Sequence, residues 1–140
     1  MQDIFNFTVT LFNFYEDDNK FFSTKLYNVE CQRGFDIQRG LNYHETSDRC
    51  LLLINYEIMS NTKTEPGGNV FLDPIDWRQS EHKSGTFTLQ TDKDFFAIGE
   101  FSEEIESFES FKDLHPNITF LINDWNDFGD VVPHLEVYGA

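Results

Sequence analysis

The residues of this chain that could do chemistry are four histidines, two cysteines and two runs of acidic side chains. His44, His82, His115 and His134 would act as metal ligands or general bases if they converged. None falls in a His-x-x-x-His or Cys-x-x-Cys spacing that would announce zinc, so each reads as a surface or capping histidine. Asp124-Trp125-Asn126-Asp127-Phe128-Gly129-Asp130 gathers carboxylates and an amide, the ligand types calcium prefers. It lacks the ordered spacing and distal Glu of an EF-hand and is read as an acidic turn. Glu100, Glu103, Glu104, Glu106 and Glu109 could in principle supply a glycosidase pair, but crowding along a helix scatters them around its axis. There is no Gly-x-Ser-x-Gly elbow and no phosphate-cradling glycine loop. We therefore expect no catalytic residue, no metal and no cofactor, and a binding or assembly role ahead of an enzymatic one. Cys31 and Cys50 read as reduced core residues.

Charge narrows the partners. Ten Lys and Arg stand against 25 Asp and Glu, a formal net charge of −15. Such a surface repels polyphosphate, which excludes ordinary nucleic-acid binding by counterion release. Either the chain mimics DNA in another protein's basic groove, or it forms a wall past which DNA slides without sticking. No apolar run reaches transmembrane length, and the opening strand leaves no room for an export leader. The expectation is a soluble protein without a membrane partner, acting in the compartment where it is made.

The elements that would position these residues are mostly strands. Phe5, Phe7, Val9 and Leu11 alternate with Asn6, Thr8 and Thr10, the period of a half-buried strand. The polar turn 16–19 and an extended stretch from Phe21 to Cys31 complete a hairpin. Arg49 to Met59 is the most hydrophobic window, a strand buried on both faces at its start. Asp73-Pro74 opens a helical turn through Trp77. Phe87 and Leu89, the turn 91–94, and Phe96, Ile98 and Phe101 predict a second hairpin. Ile105, Phe108, Phe111 and Leu114 predict one short α-helix near residues 102–114, starting at Ser102 or Ser107 and stopped by Pro116. Strands follow at 117–123 and 135–138. With 16 Phe, 5 Tyr and 2 Trp to fill a core, the fold class is all-β: a small antiparallel β-barrel or sandwich with long loops, as a single domain over 1–140.

Two loops interrupt this pattern, at 32–48 and 60–70. The first places two of the ten cations between glycines, in Gln32, Arg33, Gly34, Phe35, Asp36, Ile37, Gln38, Arg39 and Gly40. Read functionally, it is an arm touching another subunit or a shared central space. The second, with Asn61, Lys63, Pro66, Gly67 and Gly68, is a candidate flexible interface loop.

The order of several pieces resembles the minor capsid, or head-completion, proteins of long-tailed bacteriophages. They are Thr8 to Asn13, the Trp77 segment, Gly85 to Gln90, Ile98-Gly99-Glu100, the Phe108 to Leu114 helix and His134 to Gly139. The chain departs from that pattern by the insertion Asn61 to Asn69 and by Asp92-Lys93-Asp94 in place of a Gly-Asp turn. The resemblance implies a neck stopper: a β-barrel subunit that self-associates into a ring at the head–tail interface of the virion, assembled in the host cytoplasm. Portal or adaptor proteins would lie on the head side and tail terminator or tail tube proteins on the tail side. Genomic DNA would pass without sequence-specific binding, with 32–48 matching a loop that points toward the channel. Alternatives are a tail terminator or tail-completion ring, and a monomeric acidic DNA mimic that inhibits a nuclease.

Overall fold

A computed structural model of the chain describes residues 6–34, 49–81, 83–129 and 131–140. The opening alternation forms β1 (Phe7–Tyr15), and a single turn of 3-10 helix, Glu16–Asp18, leads into β2 (Lys20–Arg33). Asn19 adopts φ 52°, a left-handed position that asparagine tolerates. The expected hairpin forms, with Phe14 opposite Phe21 and Tyr15 opposite Lys20. Its ladder slips between Phe7 and Val9, near Asn28 at φ 58°. Such a bulge bends a strand, and beyond it β2 pairs instead with β3 (Cys50–Asn55), Glu30 facing Leu53.

The remaining barrel strands are β8 (Phe95–Ile98), β9 (Thr119–Phe128) and β10 (His134–Gly139). Antiparallel pairing in the order β1-β2-β3-β10-β9-β8, closed by β8 on β1, makes a six-stranded barrel. Alternation aims Val9, Leu11, Leu26, Leu52, Ile54, Phe96, Ile122, Leu135 and Val137 into one interior cluster. Gly139 lets the strands converge, because a Cβ there would lie 2.8 Å from both Phe120 Cβ and Phe96 Cε1.

Between β3 and β8 the chain builds a second sheet from β4 (Glu57–Met59), β5 (Thr62–Thr64), β6 (Val70–Phe71) and β7 (Thr86–Phe87), with α1 (Pro74–Gln79) on the connection. Phe71, Phe87 and Leu89 from this excursion join the same cluster as the barrel interior. The barrel is thus filled by the inward side chains of its own strands, and the insertion packs Phe71, Phe87 and Leu89 onto that core. A separate aromatic layer lies outside β1 and β8, where α2 (Phe108–Leu114) brings Phe111 against Phe12 and Phe95.

Several expectations need correction. Residues 85–90 do not pair with 96–101: β7 lies parallel to β6, while β8 pairs with β1 and β9. The turn 91–94 carries the chain from one sheet to the other. The helix is as expected, and of its two possible starts it takes the second: the Ser107 hydroxyl accepts the Ser110 N–H at 3.0 Å and caps Phe108–Leu114. The window 49–59 breaks at Tyr56, whose N–H turns to the Pro133 carbonyl, so β3 and β4 belong to different sheets. The acidic run 124–130 is largely strand, since β9 continues to Phe128 opposite β10.

Candidate functional site

The first predicted loop begins later than its composition suggests. Gln32 and Arg33 close β2, and Gly34, at φ 73°, donates its N–H to the Arg49 carbonyl at 2.7 Å. This bond closes the base of the connection between β2 and β3. The Arg33 guanidinium donates to the Asn117 carbonyl and lies 5.7 Å from the centre of the Phe120 ring. Gln32 donates to Glu30. Arg33 and Gln32 are therefore tied to the barrel wall rather than carried on an arm. Phe35, Asp36, Ile37, Gln38, Arg39 and Gly40 lie outside the described residues.

The second predicted loop is ordered by one side chain. Glu65 is buried, and its carboxylate accepts the N–H of Gly67 at 2.8 Å, the N–H of Asn69 at 3.0 Å and the Asn69 amide at 2.6 Å. Gly67 leaves the room, since a Cβ there would meet Glu65 Oε2 at 3.0 Å, and Gly68 takes φ 97°. Asn61, at φ 65°, supplies the turn into β5. Lys63 within β5 pairs with Asp127, which also accepts the Tyr56 hydroxyl at 2.6 Å. The expected loop over 60–70 thus contains a strand and a hydrogen-bonded turn, with Lys63 joined to β9.

His134 and Glu136 form a row with Tyr138 on the outer side of β10. His134 Nδ1 is 2.8 Å from the Val132 carbonyl, while Glu136 takes His134 Nε2 at 3.0 Å and the Tyr138 hydroxyl at 2.8 Å. The Val132 contact, reinforced by Glu136, raises the His134 pKa. Both Glu136 oxygens are used within the row. His115 lies between the Phe101 and Phe111 rings with Nε2 3.5 Å from Glu103. His44 and His82 are outside the described residues. Cys31 and Cys50 are buried and free, and their mutual hydrogen bond, with burial, pushes the Cys31 thiol up. Among the described residues no group of three or more His, Cys, Asp or Glu side chains is placed to hold a metal ion.

Sequence reasoning missed the most strongly perturbed carboxylate. Asp94 is fully buried and accepts four N–H bonds: the Asn13 amide at 2.7 Å, the Phe14 backbone at 2.8 Å, and the Gln90 backbone and amide, each at 2.9 Å. Asn13 also donates to the Thr88 carbonyl at 2.7 Å, so one network fastens the turn before β8 to β1. Burial pushes the Asp94 carboxyl up to about 7 against those donors. A signal was present: Asn13 continues the inward parity of Val9 and Leu11, a polar side chain where the period calls for an apolar one.

These observations define a closed antiparallel β-barrel with a second sheet packed on its core, an acidic composition, and a hydrogen-bonded base for the connection between β2 and β3. The chain belongs to a family of unknown function, DUF6751, whose model matches residues 4–140. No curated protein matches the chain. No solved structure matches it either.

Proposed function

We propose that this protein is a structural subunit of a phage neck, a stopper-like ring that joins the DNA-filled head to the tail and lines or gates the DNA channel. The observation that carries the reading is the connection between β2 and β3, rooted by Gly34 and Arg49 on two paired barrel strands. Both ends of the connection are thus fixed to the barrel wall, where the proposed contact with other copies would be rooted. The filled barrel supports the same arrangement. Side chains of its own strands, Leu11, Leu52, Phe96 and Ile122 among them, fill its interior, so a channel for DNA would run between copies around a closed rotational axis. A net charge of −15 gives a passing polyanion nothing to hold.

Deleting residues 34–41 tests the reading. The shortened chain should unfold within a few degrees of the parent, because β2 and β3 still pair through Glu30 and Leu53. Particles carrying it should lose packaged DNA or fail to join tails. Particles that retain DNA and join tails at the parental level would refute the arm, and tight binding of the lone chain to a nuclease would favour DNA mimicry instead.

A further inference from the structure

β2 leaves one edge unpaired near its start. β3 pairs with β2 only from Glu30 to Arg33, so between Lys20 and Ser23 the side away from β1 carries no described strand. In an antiparallel ladder the backbone groups of successive residues point to opposite edges. Both backbone groups of Phe14 are taken on the side of β8, the N–H by Asp94 and the C=O by the Gln90 amide. Asn13 and Tyr15 therefore bond toward β2, where they meet Phe22 and Lys20. Phe21 and Ser23 are left with N–H and C=O groups aimed outward, as is Lys25, whose carbonyl accepts the Asn69 amide at 3.4 Å.

A groove of about 480 Å³ is lined by all four residues Lys20 to Ser23, and its two walls lie on opposite faces of β2 with opposite charge. Phe22 packs with Tyr15 and Trp77 on one face. That face holds Lys20, 4.7 Å from the centre of the Phe22 ring, and the buried Lys83, whose ammonium lies 4.3 Å from the Tyr15 ring centre. Phe21 packs with Phe95 on the other face, in the aromatic layer that also takes Ile105, and beside Ile105 stand Glu103 and Glu104. Glu103 is 3.5 Å from His115 Nε2, whereas Lys20, Lys83 and Glu104 have no ion-pair partner among the described residues.

This division selects the occupant. A strand added to β2 sends alternate side chains to the two faces, so a sequence that alternates acidic with basic residues satisfies both walls at once. Its acids meet Lys20 and Lys83, its bases meet Glu104, and its backbone bonds to Phe21 and Ser23. A second copy does not fit. Antiparallel pairing of β2 with β2 keeps like faces together and sets lysine against lysine and glutamate against glutamate. We infer that the open edge of β2, with this groove, is a docking site for an extended segment of another protein in which acidic and basic side chains alternate. The inference goes beyond the ring reading and does not depend on it.

The test uses the full isotope-labelled chain at physiological salt, which screens diffuse attraction to a body of net charge −15. Three capped peptides of equal length are compared, alternating glutamate with lysine, glutamate with serine, and lysine with serine. The first should move the amide signals of Phe21 and Ser23 most, and should bind about five-fold more tightly than either of the others. Lys20→Glu and Glu104→Lys should each weaken it about five-fold. Both residues are exposed, so the two variants should melt within a few degrees of the parent. A lysine–serine peptide that bound as tightly as the glutamate–lysine one would overturn the inference, since general attraction to an acidic body would then suffice. Shifts without a maximum at Phe21 and Ser23 would overturn it as well. So would dimerisation of the free chain through β2, which would make the occupant a second copy.

Discussion

Replacing Asp94 by alanine should lower the unfolding free energy by about 3–5 kcal/mol, because it leaves buried donors on Asn13, Phe14 and Gln90 without their acceptor. For a chain of this size the loss corresponds to a fall in Tm on the order of 10 °C or more, measurable by thermal unfolding. The same group sets a pH dependence. Its folded pKa of about 7 lies above the ordinary 3.8, so between these values the folded chain holds a proton that the unfolded chain has released. This contribution is fully present below about pH 4 and is lost as pH rises through about 7, a span on the order of 4 kcal/mol. Surface self-repulsion at net charge −15 acts in the same direction. Asp94→Asn separates the two, since it keeps the shape and removes the titration. Denaturant unfolding between pH 5 and 8 should show stability falling steeply for the parent and gently for the variant. Equal slopes would assign the effect to surface charge alone.

The second large effect is expected at Phe12. Its ring is fully buried, stacked on Phe95 at 4.6 Å between centroids and tilted against Phe111 at 5.1 Å. It is the contact through which α2 holds to the outside of β1. Phe12→Ala removes the ring and leaves a cavity that β1, paired on both sides, cannot collapse to fill. We expect a loss of about 3–5 kcal/mol by denaturant unfolding, and early hydrogen exchange in Phe108–Leu114 relative to the barrel strands. Phe12→Leu, which retains most of the apolar volume, should recover more than half of that loss. If alanine and leucine behaved alike, the aromatic layer would not be what secures α2.

The contrast between these sites explains how far the sequence could be read. Phe12 follows directly on the alternation of residues 5–11, and the hairpin of β1 and β2 follows from that period and the polar turn 16–19. The double-sided burial at the start of β3 was equally plain in Cys50, Leu51 and Leu52, all buried. Local patterns failed where pairing is long-range. Thr91-Asp92-Lys93-Asp94 looks like a hairpin turn between two alternating runs, yet Asp94 serves β1, some 80 residues away in sequence. β6 and β7 are only two residues each, below any window in which a period can be counted. The end of β9 was hidden by its exposure: Asp124 and Asn126 face solvent, so the strand carries the composition of a loop. Of the candidate sites, Arg33 was noticed as a rare cation and Lys63 as part of a loop. Their engagement with the Asn117 carbonyl and with Asp127 depended on strand neighbours that spacing does not reveal.

A filled barrel rather than an open one changes what the acidic surface can mean. No polymer passes through a body whose interior holds Leu11, Leu52, Phe96 and Ile122, so a role at a DNA channel requires several copies. For the proposed neck role, a reconstruction of intact virions of a phage carrying this chain's gene addresses that requirement directly. The account predicts density for the six-stranded barrel repeated around the head–tail axis, with the connection between β2 and β3 turned toward the lumen. Virions complete in head, neck and tail but lacking this chain would contradict it.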